Sequence, residues 1–412
     1  MSAPITRARR RSHLHHTRFF QPRQPAFWLY AVLVAITGVL AVAEQSLYRN
    51  ISPSGWALAW ILLLLYGAPV FLVIYVLDLY EREPLPILVA AFLWGAVAAT
   101  ALSAIGNAGW GLTVARLGGP EFAARWTAAL TAPLVEETLK GCGLVLIYLI
   151  ARDEIDDVMD GFVYGAICGL GFAIVEDVFY FMAVFGGDPA GVLQGFWLRV
   201  VASGLYGHVL YSGLVGMAIG VVVSRRASEP LRHRVWVAAG LCSLAALGHF
   251  VWNSPLLDLF PAEPWSGADY LLVVLATAVK GLPLLAFVAI AVVLARRRER
   301  RWLRGALAGE VGLDGISAGE LRLLERPSRR RAARREMRRR AGARASSLLH
   351  RLQREQVNLA MVASRVSRVD DPALSRQRQL CRSLRDALQA IPGAAPAESA
   401  ATEGEGEAWA GR

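Results

Sequence analysis

The chain has 412 residues, 55% of them hydrophobic and only 19% charged, and its formal net charge of +11 is carried almost wholly by arginine. That composition excludes an ordinary soluble domain and describes a polytopic membrane protein with a more polar tail. The arginines cluster beside apolar segments, which assigns them to topology and anionic lipid headgroups rather than to nucleic acid.

Eight segments are long and apolar enough to cross the hydrocarbon core, which takes about 20 residues of helix. They cover 25–43, 56–77, 86–108, 127–150, 161–185, 198–224, 235–252 and 270–295. The predicted fold is therefore all-α, a transmembrane helical bundle over 25–296. It is flanked by a basic segment 1–24 and a tail 297–412 that is helical and then disordered. Arg7, Arg9, Arg10, Arg11, Arg18 and Arg23 precede the first span. That span ends in Ala41-Val42-Ala43, which resembles a signal-peptidase site, but its length and the spans behind it favour an uncleaved anchor. The positive-inside rule puts this block, the loop with Arg225, Arg226, Arg232 and Arg234, and the run 296–298 in the cytoplasm, so both termini lie inside.

In the tail, Ser317-Ala318-Gly319-Glu320 reads as a capping box opening a short helix that Pro327 follows. Residues 329–340 are nearly all arginine and alanine, a surface for anionic lipid. Leu352, Leu359, Val362, Val366 and Val369, and then Leu380, Leu384, Leu388 and Ile391, have heptad-like spacing and predict an amphipathic helix or a coiled-coil contact. None of the four cysteines, Cys142, Cys168, Cys242 and Cys381, forms a CxxC pair, so no disulfide framework or thiolate metal site is indicated.

The informative residues are the ionisable ones inside apolar segments, where each costs on the order of 3 kcal/mol. Glu136, Glu176, His208, His249 and Lys280 each lie about 16 residues from the polar cytoplasmic flank of their span, roughly 24 Å in. Glu136 and Lys140, Glu176 and Tyr180, and His249 and Asn253 are spaced i,i+4 and share faces. Carboxylates and imidazoles at one depth can hold a divalent metal or activate water, and an amide can stabilise an oxyanion. Singly, each has a plainer account. A lone histidine bonds a neighbouring helix, Lys280 neutralises a buried acid, the acidic loop 153–157 is a solvated connector, and Gly165, Gly169 and Gly171 serve close packing. The common depth of five spans is what those accounts leave over.

These motifs resemble the PrsW-type intramembrane proteases, distant relatives of the CAAX prenyl-endopeptidases. Val135-Glu136-Glu137-Thr138-Leu139-Lys140 is similar to that family's EExxK signature, and Gly171-Phe172-Ala173-Ile174-Val175-Glu176-Asp177-Val178-Phe179-Tyr180 to its GFAxxENxxY motif. His208, preceded by Arg199, resembles the third motif and His249-Phe250-Val251-Trp252-Asn253 the fourth. The loop Asp78-Leu79-Tyr80-Glu81-Arg82-Glu83-Pro84 resembles the family's acidic-proline loop, and Asp177 stands where the family usually has Asn. The resemblance implies hydrolysis of a peptide bond in a membrane-associated protein, by an enzyme of the bacterial cell membrane. The family's best-known branch cuts an anti-sigma factor, a substrate that does not carry over. The expected catalytic set is Glu136, Glu137, Glu176, His208, His249 and Asn253, supported by Lys140, Tyr180, Arg199 and Lys280. A divalent metal, zinc by the family's class, is expected on His208, His249 and Glu176. A metal-free route, with a glutamate and His208 activating water, is equally open to the residues. A proton-coupled transporter or a catalytically silent scaffold would be the competing functions, though no repeat between the two halves supports a transporter.

Overall fold

A backbone in hydrocarbon must satisfy its own hydrogen bonds, and every long apolar segment here does so as a helix. The structure, a computed structural model, describes residues 19–77, 83–202, 207–224, 229–256, 267–313, 315–366, 368 and 370–394. The arginine block up to Arg18, most of the acidic-proline loop, Arg225, Arg226, Val369 and the Ala/Gly/Glu-rich end lie outside the described residues.

In chain order the helices are α1 (Pro25–Ile51), α2 (Pro53–Leu77), α3 (Leu85–Leu93), α4 (Thr100–Gly118), α5 (Pro120–Ile150), α6 (Val158–Phe179), α7 (Pro189–Phe196), α8 (Gly207–Val223), α9 (Leu231–Asn253), α10 (Gly267–Ala308), α11 (Ala318–Leu324), α12 (Pro327–Arg365) and α13 (Pro372–Gln389). Wider π-helical turns join α3 to α4 (Trp94–Ala99), follow α6 (Tyr180–Val184) and follow α7 (Trp197–Ala202). The chain divides into two compact units, with the boundary inside α10 between Ala295 and Arg296.

Among the described residues, six helices are long and apolar enough to cross a membrane: Pro25–Ile51, Pro53–Leu77, Leu85–Gly118, Val158–Val184, Leu231–Asn253 and Gly267–Ala308. A seventh span results if Pro189–Ala202 and Gly207–Val223, bent by 45°, count as one. The predicted count of eight is thus not reached. The shortfall is α5, whose apolar stretch is interrupted by Glu136, Glu137 and Lys140.

Helix α6 is the axis of the first unit. Most of its residues are buried, whereas α9 is largely exposed apart from Ala238, Ala245 and His249. The close packing comes from small residues. A Cβ on Gly165 would stand 2.1 Å from the Ser212 carbonyl oxygen, and one on Gly216 1.9 Å from that of Gly161, so α6 and α8 touch backbone to backbone. A Cβ on Gly95 would likewise stand 1.9 Å from the Cys168 carbonyl oxygen of α6. The start of α6 corrects the reading of the acidic loop as a solvated connector for Asp156 and Asp157, while Asp153 is exposed. Asp156 and Asp157 are buried, Asp157 Oδ1 accepts from the Met159 and Asp160 amides, and Asp160 Oδ2 accepts from those of Asp156 and Asp157. This capping box satisfies the first-turn amides that a helix leaves open.

The second unit gathers the end of α10 with α11, α12 and α13 around Leu303, Leu307, Leu324, Leu352, Leu359 and Leu384. The heptad-like stripe is spent on this internal core, with Leu352, Leu359, Leu384 and Leu388 buried and Val362, Val366, Leu380 and Ile391 packed against them. It is therefore not a coiled-coil face left open for a partner. Ser317 and Glu320 form the predicted capping box. Arg304 pairs with Glu325, Arg378 with Glu310 and Arg385 with Glu320. Helix α12 carries the 329–340 arginines and kinks at Gly342, where φ is 83°.

Candidate active site

Helix α5 sets the two glutamates of the first motif side by side, one turn after Pro133, and both are buried together with Lys140. Ser212 Oγ donates to Glu137 Oε2 at 3.1 Å, and the Asn107 amide of α4 donates to Glu136 Oε1 at 3.0 Å. Lys140 Nζ stands 2.7 Å from Glu137 Oε1, 2.8 Å from His208 Nδ1 and 3.6 Å from Glu136 Oε2. Its ammonium also lies 3.8 Å from the centre of the Phe172 ring. His249, from α9, stacks on Tyr211 of α8 at 4.7 Å, which fixes its ring plane. Its Nε2 is 3.8 Å from Glu136 Oε2 and its Nδ1 3.2 Å from Glu137 Oε1.

Behind His208 lies a second layer. Glu176 Oε2 is 2.9 Å from His208 Nε2 and accepts from Arg199 Nη2 at the same distance. Arg199 Nε donates to Asp177 Oδ1 at 2.6 Å, and its guanidinium covers the Tyr180 ring at 3.5 Å. With Lys140 donating to Nδ1, Nε2 carries the His208 proton and gives it to Glu176.

A cavity of about 1060 Å³ opens onto this arrangement and is lined, among others, by Glu136, Glu176, His208, His249 and Asn253. All three π turns contribute to its wall, through Ala96 and Val97, Tyr180 and Val184, and Leu198 and Arg199. π-Turns recur at functional sites because they push side chains out of helical register.

One ligand atom from each of Glu136, Glu137, His208 and His249 lies within 4.8 Å of the others, the spacing of a metal-binding group. Glu136 Oε2 and His249 Nδ1 are buried and no hydrogen bond reaches either, so the pocket holds donors that the protein does not itself satisfy. Mixed imidazole and carboxylate donors suit zinc. Glu176, expected as a ligand, is outside this group because Arg199 and His208 Nε2 engage it. Asn253 lines the cavity while its amide leans toward the Ala128 carbonyl at 3.5 Å. Lys280 also lines the cavity, and donates to the carbonyls of Ser254 at 2.9 Å and Trp252 at 3.4 Å. The ammonium among the site carboxylates is that of Lys140. Sequence reading missed Ser212 and Asn107, since neither Ser nor Asn in an apolar helix is unusual enough to mark itself. It also missed Tyr211, whose ring against His249 no spacing rule foretells.

A helical membrane protein with acids and imidazoles gathered in an intramembrane cavity belongs to a small set of classes, chiefly proton relays and intramembrane hydrolases. Residues 83–282, about half of the chain, match the model of the PrsW family, described as intramembrane metalloproteases, and the resemblance carried by the four motifs holds. The chain is also 29% identical over 164 residues to "Protease PrsW" of Geobacillus kaustophilus (strain HTA426). That match takes in 40% of this chain and 65% of the relative, so a little under two thirds of the relative's length is covered. No solved structure matches the chain.

Proposed function

We propose that the chain is an intramembrane endopeptidase that hydrolyses a peptide bond of a membrane-protein substrate, with Glu136, Glu137, His208 and His249 as the reacting centre. The observation that carries this reading is their convergence from α5, α8 and α9 to within 4.8 Å of one another, with Glu136, His208 and His249 lining one cavity, inside the segment that matches the protease family. Glu136 is the proton acceptor for the attacking water. It lines the cavity with no hydrogen bond to Oε2, which stands 3.6 Å from the Lys140 ammonium, whereas both oxygens of Glu137 are tied closely to Lys140 and Ser212. His208, held through Nε2 by Glu176, presents a fixed ring edge to the same space. Asn253 and His249 supply N–H groups on the cavity wall for the oxyanion of the tetrahedral intermediate. In a metal-dependent route His208, His249 and Glu137 would instead hold a divalent ion, zinc by ligand type, which when bound would supply Lewis-acid polarisation and a more acidic water and would leave Glu136 as the base.

Helix α5, with 31 residues and a length of about 46 Å, completes an eighth crossing under this reading, its Glu136, Glu137 and Lys140 turned away from lipid. Both termini then face the cytoplasm of a bacterial cell, and α12 offers its arginines to anionic lipid of the inner leaflet. The test is cleavage of a membrane-protein substrate found by comparing membrane proteomes of cells carrying wild type and Glu137→Ala. Glu136→Ala, Glu137→Ala and His208→Ala are each expected to abolish cleavage while the protein stays folded in the membrane. Near-wild-type cleavage by all three would refute the assignment.

A further inference from the structure

The ammonium of Lys140 sits where a cation belongs. It is fully buried, with Glu137 Oε1 at 2.7 Å, His208 Nδ1 at 2.8 Å and Glu136 Oε2 at 3.6 Å. Those three atoms are drawn from three of the four residues grouped as metal donors. An ammonium has three N–H groups and no acceptor, and here two are spent on Glu137 and His208 while the charge faces the Phe172 ring. A zinc ion would need the same lone pairs at about 2.0–2.2 Å. Two cations cannot share one position a few ångströms across, since their repulsion grows as the inverse of the distance in a medium that screens weakly. Glu176, the further carboxylate of the site, is already engaged by Arg199 and His208, and the Phe172 ring lies 3.8 Å from the ammonium.

We propose that Lys140 is a built-in counter-cation of the Glu/His centre, and that its ammonium and a divalent metal exclude one another there. The proposal rests on reading these four residues as the reacting centre. It goes further by assigning the lysine of the first motif a role as competitor of the metal. Lys140 is thus a positioning residue: with the ammonium in place, Glu137 and His208 are oriented and charge-balanced without an ion. A metal gains access only when the side chain withdraws.

The experiment is a metal titration that does not depend on cleavage. Full-length protein in detergent, stripped with EDTA, is titrated with Co²⁺ alone, and binding is read from visible d–d absorption. Lys140→Met removes the charge at nearly constant volume and is expected to bind Co²⁺ at least about tenfold tighter than wild type. Lys140→Arg keeps a cation and is expected to bind no tighter than wild type. A folded Lys140→Met with unchanged or weaker affinity overturns the proposal. So does a wild-type protein that retains a stoichiometric metal against EDTA, and this arm decides the matter if Lys140→Met fails to fold. Loss of proteolysis in Glu137→Ala bears on the protease reading and leaves the titration untouched, so the two can fail separately.

Discussion

Replacing Arg199 by Gln strikes the layer that holds His208 from behind. Its guanidinium makes two short charge-assisted hydrogen bonds, 2.6 Å to Asp177 and 2.9 Å to Glu176. Removing one partner of a buried charge pair costs about 3–5 kcal/mol, because the other charge is left in a poor solvent. The Arg199 side chain keeps 26% of its exposure while those of Asp177 and Glu176 keep 9% and 17%. Solvent therefore offsets part of the loss, and Arg199→Gln is expected to cost about 2–3 kcal/mol. Glu176, no longer fixed, should also release His208, so cleavage should fall well beyond what the loss of folded protein explains. Asp177→Asn, which keeps an acceptor for Arg199 Nε, should be mild alone and should soften Arg199→Gln, since one stranded carboxylate is then gone. The assay is a double-mutant cycle, read by thermal unfolding in detergent and by cleavage of a fused test substrate. A coupling under about 0.5 kcal/mol, or a full-activity Arg199→Gln, would refute the reasoning.

Other consequences can be checked with the same material. Gly165→Ala places a methyl 2.1 Å from the Ser212 carbonyl and should lower the melting temperature sharply, whereas Gly240→Ala on α9, with nothing within 4 Å, should not. Hydrogen bonds from Arg304 hold the Glu325 carboxyl below its usual range. That pair's stabilisation is present above the ordinary glutamate value near 4.5 and is lost as pH falls through the lower folded value. Amide protection factors in α11, taken relative to the intrinsic exchange rate at each pH, should fall on acidification in wild type and depend less on pH in Arg304→Gln. Deleting 304–412 should leave cleavage measurable in detergent while abolishing any dependence on anionic lipid in vesicles. A folded but inactive truncation would place the tail in the catalytic machinery.

What the sequence disclosed about the site follows from the cost of polarity in hydrocarbon. Glu136, Glu176, His208 and His249 stood out because apolar neighbours offer no reason for them, and their common depth foretold that α5, α6, α8 and α9 would bring them to one cavity. Lateral position was not legible in the same way. Depth alone could not tell Lys140 from Lys280 as the partner of the carboxylates, nor place Glu176 behind His208, because both depend on how helices rotate about their axes. The eighth span is not confirmed by length and composition for a related reason. The apolar stretch of α5 carries Glu136, Glu137 and Lys140, whose cost is met by one another and by Asn107, His208 and Ser212 of other helices, and no count of apolar residues sees those partners. In the tail, the leucine spacing foretold an amphipathic stripe but could not show that the covering surface lies in the same chain.

The π turn at Trp94–Ala99 turns chain length into chemistry at a distance. Relative to an unbroken α-helix it amounts to one extra residue, and one residue is about 100° of rotation. Asn107 lies beyond that turn and reaches Glu136 across 3.0 Å. Losing a single residue from 94–99 would straighten the helix and swing Asn107 about a quarter-turn away, although no side chain in contact with Glu136 had changed. Among relatives of this chain, a one-residue gap in that stretch would therefore count as an active-site difference rather than as loop drift.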